Sequence, residues 1–242
     1  MNMPAIDRRT ALQLLGTSLV LPWRGEAVQM TPAIKVVDHL LLGIGDLDRG
    51  IAWVAERTGV RAVIGGSHPG RGTRNALVSL GPMQYLEIIA PDPAQTAFTF
   101  QIDVRSLEEP RLINWAAGTT DIDDVARRAK AAGRQVLGPT DGSRARPDGK
   151  LMKWRSLGIA SELAAGAVQP IPFFIQWSAG TVHPSEDSPK GCTLRAFRIL
   201  HPSAAAVRDL LTSVGIDADV GQEPEATIRA TLNTPNGTVE LR

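Results

Sequence analysis

One stretch near the start of the chain, Val36 to Val60 (VVDHLLLGIGDLDRGIAWVAERTGV), constrains the fold most, because its pattern returns twice further on. Val36 to Ile44 is apolar and largely branched, which predicts a strand. Asp46 suits a helix N-cap, and Leu47, Ile51 and Val54 at i, i+4 and i+7 give the following helix one apolar face. Gly59 is placed to end it, since glycine tolerates the left-handed conformation that closes many helices. Strand alternation puts Val37, His39, Leu41 and Gly43 on one face and Leu40, Leu42 and Ile44 on the other, towards the helix. His39 is therefore expected on the side of the sheet away from the helix.

After this unit comes the glycine-rich segment Gly65 to Asn75, read as a loop. It is not a phosphate loop, because no Gly-Lys-Ser/Thr follows it and no helix opens after it. Asn75 to Leu80 and Met83 to Ile89 read as paired strands around Gly81-Pro82, with Tyr85, Glu87 and Ile89 sharing a face. The order is β-α-β-β-β. It recurs from Leu112, with Asp121 as cap 75 residues after Asp46, an apolar helix face of Ile122, Val125, Ala126 and Ala129, and Gly133 as stop. Strands are expected from Gln135, over Leu151 to Arg155 and over Ile171 to Trp177, with a polar loop from Arg144 to Lys150. A third copy starts at Leu194, with a helix over Ala206 to Val214 and strands over Thr227 to Leu232 and Gly237 to Leu241. The predicted fold class is α+β: paired βαβββ modules over 34–180 forming a curved mixed sheet around a cleft, and a third βαβββ-like module over 190–242.

Composition narrows the function. A net charge of +1 over 242 residues gives no bulk attraction for nucleic acid. The single cysteine, Cys192, excludes an intrachain disulfide and an all-cysteine zinc site. No apolar run is long enough to span a bilayer, so no membrane association is expected of the mature form. Residues 1–30 resemble a twin-arginine export signal: Asp7-Arg8-Arg9-Thr10-Ala11-Leu12-Gln13, a mildly apolar segment to Pro22, and a small-residue cleavage site near Ala27. The expected location is exported or periplasmic if that signal operates, and cytoplasmic otherwise.

The order of elements resembles the vicinal oxygen chelate superfamily, which includes glyoxalase I and extradiol dioxygenases, and within it the glyoxalase-like domain proteins. The residues that carry the resemblance are Val37-Asp38-His39-Leu40, Asp46-Leu47-Asp48, His68-Pro69-Gly70 with Gly72-Thr73 and Asn75, Tyr85-Leu86-Glu87, Arg146-Pro147-Asp148-Gly149, Trp154-Arg155, Ile175-Gln176-Trp177 and His183-Pro184. Each is short; their order and spacing from Ile34 to Arg242 make the match.

The resemblance implies ligands on the first and last strand of each module, pointing into the cleft. His39 and Glu87 hold those places in module one. Asn114, or Trp115 with a one-residue register change, and Gln176 hold them in module two. One imidazole and one carboxylate suit Fe, Mn, Ni or Zn, and His68 could add a second imidazole if its loop folds over the cleft. Asn and Gln carbonyls are weak ligands for such metals. Without a metal, Glu87 could act as general base, with Gln176 and Asn75 orienting a carbonyl. Arg71, Arg74, Arg144, Arg146, Lys150, Lys153 and Arg155 would suit an anionic small substrate; Arg155, on a strand beside Trp154, is the preferred contact and Arg74 a second.

His183 reads as mainly structural, His201 as a cap, and Cys192 as an unactivated thiol. In the third module Arg195 and Glu240 fall where His39 and Glu87 fall, predicting a salt bridge. That module is expected either to pair with its copy in a homodimer or to pack on an edge of the first sheet. The function expected is that of a lyase or isomerase acting on a small carbonyl or carboxylate compound. The alternatives are a non-catalytic small-molecule binder and an iron-dependent dioxygenase.

Overall fold

The computed structural model describes residues 29–145 and 151–242, with Met1 and Gly149. Nearly all of the proposed export signal, together with Arg146, Pro147, Asp148 and Lys150, lies outside the described residues.

The first unit runs β1 (Val37–Gly43), α1 (Leu47–Thr58), β2 (Val63–His68), β3 (Thr73–Ser79) and β4 (Tyr85–Pro91). The second runs β5 (Arg111–Gly118), α2 (Ile122–Ala131), β6 (Val136–Ala145), β7 (Leu151–Ile159) and β8 (Phe173–Trp177). The two helices start in the same way. Asp46 accepts from the Arg49 N–H at 2.8 Å, and Asp121 from the Asp124 N–H at 2.9 Å. Each cap satisfies a backbone donor that the first turn leaves without a helical partner. Gly59 ends α1 at φ 74°, where a side chain would be strained.

The eight strands form one sheet in the order β2-β3-β4-β1-β5-β8-β7-β6, curled into a half-barrel. The modules meet where β1 pairs antiparallel with β5, and each first strand is flanked by its own module's last strand running parallel. The convex face carries the helices. Leu40, Leu42 and Ile44 join Leu47, Ile51 and Val54 in the main core. The hollow face is partly filled: Leu41, Ile89 and Ile113 pack with Val104, and Phe98, Phe100, Ile102 and Leu107 close over them. What remains of the hollow is polar on the first module's side and apolar on the second's.

Three expectations change. Val37 does not share a face with His39 but joins the convex core, because the register shifts between Val37 and His39. Such a bulge sets two residues against one and reverses the alternation before it. The glycine-rich segment is a strand hairpin with only residues 69–72 at its turn, so His68 ends strand β2 rather than riding on a loop. Arg144 likewise lies in strand β6 and not in the loop after it.

The third segment has the expected order, β9 (Thr193–His201), α3 (Ala204–Ser213), β10 (Asp219–Gln222), β11 (Thr227–Thr234) and β12 (Gly237–Leu241). Its sheet order is β10-β9-β11-β12, so first and last strands are not neighbours. Arg195 and Glu240 therefore form no pair; Glu240 lies 3.9 Å from Arg229, on the adjacent strand. The segment packs on the convex face rather than on a sheet edge: Phe197, Ile199, Ile228 and Leu232 share one core with Leu40 and Trp115. The Phe197 and Trp115 rings lie 4.9 Å apart.

Candidate active site

Parallel pairing of β1 with β4 sets His39 opposite Tyr85 and Leu41 opposite Glu87. His39 and Glu87 thus fall on one face, one step apart, and that face is the hollow one. His39 Nε2 lies 3.5 Å from Glu87 Oε2. The other carboxylate oxygen is more tightly held. Glu87 Oε1 accepts from Asn75 Nδ2 at 2.6 Å and faces His68 Nε2 at 3.3 Å. The β2–β3 hairpin delivers both partners, since it pairs His68 with Thr73, whose hydroxyl lies 2.8 Å from His68 Nδ1. Asn75 Oδ1 accepts from Arg144 at 3.2 Å. The Arg144 Nε is buried and without a partner among the described residues. A Cβ on Gly65 would lie 2.4 Å from Asn75 Oδ1, so glycine is required beneath the amide.

Burial alone would raise the pKa of Glu87, but the His68 hydrogen bond, the charges of His68 and His39, and the Asn75 bond together outweigh it. The carboxyl is held down at about 2 from an ordinary 4.5. It is an anion at neutral pH, and a weak proton acceptor.

Behind His39 lies a second carboxylate, aimed inward by the bulge. Asp38 Oδ1 is 2.7 Å from His39 Nδ1. Asp38 Oδ2 accepts from Trp177 Nε1 at 2.9 Å and meets His183 Nε2 at 3.3 Å. Burial opposes its ionisation too, yet the His183 and His39 contacts lower its pKa to about 2. Tyr85 stacks on His39 with ring centres 4.5 Å apart, and Phe173 meets it edge-on at 5.4 Å. Burial, then the negative charges of Glu87 and Asp38, push the Tyr85 phenol well above its usual range, so it stays neutral. His183, read from sequence as mainly structural, and Asp38, Tyr85 and Trp177, which were assigned no role, therefore belong to the cluster.

Module two supplies nothing equivalent. Gln176 faces the convex side, where its amide accepts from the Ile122 N–H at 3.0 Å and donates to the Thr120 carbonyl at 2.9 Å. It secures the start of α2. Aligning Gln176 with Glu87 is one residue out of register, and a one-residue slip reverses faces. Ile175 has the hollow-facing place instead and is buried. Asn114 is spent on the backbone N–H of Trp115 at 2.7 Å, and Trp115 is buried in the convex core. Arg155 makes a two-bond fork to Asp123, at 2.7 and 2.9 Å, in the first turn of α2. Its neighbour Trp154 takes the hollow side, over Gly142 and against Trp177 at 5.8 Å. Arg74 alternates with Thr73 and Asn75, so it turns away from the cluster, and its charge acts on Asp92. His201 does cap, accepting the Ser203 N–H at 2.9 Å. Cys192 is buried, and burial pushes its thiol up.

The donor types at His39, His68 and Glu87 would suit a divalent metal; in this structure the three side chains contact one another directly. The two imidazoles flank opposite oxygens of one carboxylate, each at hydrogen-bond or ion-pair distance. Among the described residues no three His, Cys, Asp or Glu side chains converge on one point. A groove of about 1130 Å³ runs elsewhere, between α2 and the rim of the sheet, and touches the cluster only through Asp38 and Trp177. Its polar lining, Lys35, Asp124, Arg127 and Arg128 among it, lies apart from the buried His39–Glu87 cluster, which is taken as the candidate site.

The glyoxalase-like domain family model matches residues 37–215. The chain belongs to that family. The glyoxalase-like fold extends to solved structures. A hypothetical protein from Staphylococcus aureus matches over 85% of this chain and 98% of its own, at 17% identity and a TM-score of 0.63. Methylmalonyl-CoA epimerase from Mycobacterium tuberculosis matches over 61% of this chain and 89% of its own, at 21% identity and a TM-score of 0.41. The Streptomyces coelicolor epimerase, solved with 2-nitronate-propionyl-CoA, covers 60% of this chain and 96% of its own, at 19% identity and a TM-score of 0.43. The curated proteins give no match. The family match and the half-barrel agree with the resemblance to glyoxalase-like domain proteins read from the sequence.

Proposed function

We propose that this glyoxalase-like chain is an isomerase or lyase that moves a proton at a carbon beside the carbonyl of a small anionic compound. The observation that carries this reading is the 3.5 Å gap between His39 Nε2 and Glu87 Oε2. Among the described residues these two atoms have no closer polar partner, while Glu87 Oε1 and His39 Nδ1 are engaged by Asn75 and Asp38. An imidazole is a suitable proton acceptor near neutral pH, and an adjacent fixed anion stabilises the imidazolium that forms. His39 and Glu87 are nearly buried, at 3% and 7% exposure, so such a charge pair acts in a dry environment. His68, with 20% of its side chain exposed, marks the more open end. Beside it, Arg144 offers a guanidinium for a substrate carboxylate.

This reading moves the base from Glu87 to an imidazole, because a carboxylate with a pKa near 2 binds a proton too weakly. One equivalent of Fe, Mn, Ni or Zn in protein purified without chelator, lost in Glu87→Ala, would assign a metal to the cluster. The apolar second half, with Ile175, Phe173 and the Trp154–Trp177 pair, favours one rival: a protein that holds a flat ligand without converting it.

Proton NMR in D2O decides between them. Small oxo-carboxylates incubated with the protein are expected to lose the signal of the carbon-bound proton next to the carbonyl, at a rate proportional to protein. A tightly held organic ligand released unchanged, with no exchange in any compound, would support the binder.

A further inference from the structure

Beside the pair lie three groups that the proton transfer above does not itself use: buried Asp38 and His183, and half-buried Trp177. Their hydrogen bonds fix protonation states one after another. His183 Nδ1 accepts the backbone N–H of Ser185 at 3.1 Å. The Ser185 hydroxyl, 2.8 Å from that nitrogen, already accepts from the Met83 N–H at 3.0 Å. A nitrogen that accepts a backbone N–H carries no proton, so the His183 proton sits on Nε2. From there it points at Asp38 Oδ2, 3.3 Å away. Trp177 Nε1, which can only donate, fills the same oxygen at 2.9 Å. Two neutral donors thus occupy Oδ2 and leave Oδ1 for His39.

We infer that Asp38, locked by His183 and Trp177, is a positioning residue that holds the proton of neutral His39 on Nδ1, making Nε2 the atom that takes the substrate proton. The assignment rests on the proton-transfer reading and names its atom. In the step, the substrate C–H bond breaks and its electron pair stays on the substrate as an enolate. The proton joins the Nε2 lone pair, giving an imidazolium between Asp38 and Glu87. Return of the proton to the same or a neighbouring carbon restores neutral His39. Tyr85 and Phe173 hold the ring plane from either side. The alternative tautomer would turn a bare Nδ1 lone pair towards the Asp38 anion at 2.7 Å, which is repulsive.

The test needs no substrate, so it can fail independently of the catalytic reading. Imidazole nitrogen NMR on 15N-histidine-labelled protein reports which ring nitrogen carries the proton. In the wild type, neutral His39 should show a pyrrole-type signal at Nδ1 and a pyridine-type signal at Nε2, and His183 the reverse. In Asp38→Asn, the Trp177 and His183 donors should hold the amide oxygen and turn its NH2 towards His39. The His39 signals should then exchange, with Nδ1 pyridine-type, while His183 keeps its pattern. Wild-type His39 with its proton on Nε2, or a His39 pattern unmoved in folded Asp38→Asn, would overturn the assignment. If Asp38→Asn does not fold, the wild-type spectrum decides alone. Loss of proton exchange with both tautomers as assigned would count against the catalytic reading and not against this one.

Discussion

The two halves of the half-barrel share a backbone and differ in what it carries. In the first half, the hollow-facing places on β1 and β4 hold His39, Tyr85 and Glu87. In the second, β8 offers Phe173, Ile175 and Trp177 to the hollow, while Asn114 and Gln176 are spent on backbone groups. The repeated fold therefore supplies two equivalent platforms, and only one holds the acid–base side chains. The other supplies apolar wall, one indole that steadies Asp38 from across the cleft, and the Arg144 guanidinium that reaches Asn75 from β6. Duplicated geometry does not imply duplicated function; the side chains decide it.

The contrast can be broken by substitution, and the largest effect is expected at Glu87. Glu87→Ala removes the anion from among His39, His68 and Asn75 and leaves their polar groups facing each other. A loss of about 3 to 5 kcal/mol in urea unfolding is expected, as when one partner of a buried ion pair is removed. A change below 1 kcal/mol would mean that the cluster is wetter than its burial implies.

Acid should expose the same asymmetry. Glu87 and Asp38 have folded pKa values near 2, below their ordinary 4.5 and 3.8. Each stabilises the fold above its unfolded value, and the contribution disappears as pH falls from about 4.5 towards 2. Glu87→Gln should flatten the stability–pH curve in that window, whereas Gln176→Glu should not reproduce the lost dependence.

Smaller effects belong to the second half. Gln176→Ala should cost about 0.5 to 2 kcal/mol, the range for losing a helix-start hydrogen bond, and leave the His39 and His68 nitrogen signals in place. Arg155→Ala is expected to matter least: its fork to Asp123 is solvent-exposed, and the unfolding midpoint should stay within experimental scatter. A large loss of ligand binding in Arg155→Ala would restore it to the site and blur the contrast.

Much of this was legible in the sequence. Asp46 and Asp121 marked both helix starts, and the alternation of β4 placed Glu87 with Tyr85. His39 could be set on the hollow face because the strand is regular beyond it. Illegible was anything that depended on register. The bulge at Asp38 is not written in the alternation of Val36 to Ile44, yet it turns Val37 to the core and brings Asp38 to His39. The same weakness misplaced Gln176, because matching Leu86-Glu87 to Ile175-Gln176 compares letters and ignores which face each residue takes. Arg155 was misread for another reason. Its partner Asp123 lies 32 residues earlier, on a helix turn, and no local pattern links the two. His183 and Trp177 are distant in sequence from Asp38, and only the fold brings them together.

The central claim is that proton chemistry resides in the first half alone. Its most direct test is the rate of carbon-bound proton exchange into D2O for Glu87→Gln and Gln176→Ala, measured side by side with wild type on one active oxo-carboxylate. The account predicts a loss of at least about 100-fold for Glu87→Gln, the scale of losing a preorganised charge that stabilises the imidazolium, and a rate within about twofold of wild type for Gln176→Ala. Equal losses in the two variants, or a Glu87→Gln protein that exchanges at the wild-type rate, would contradict it.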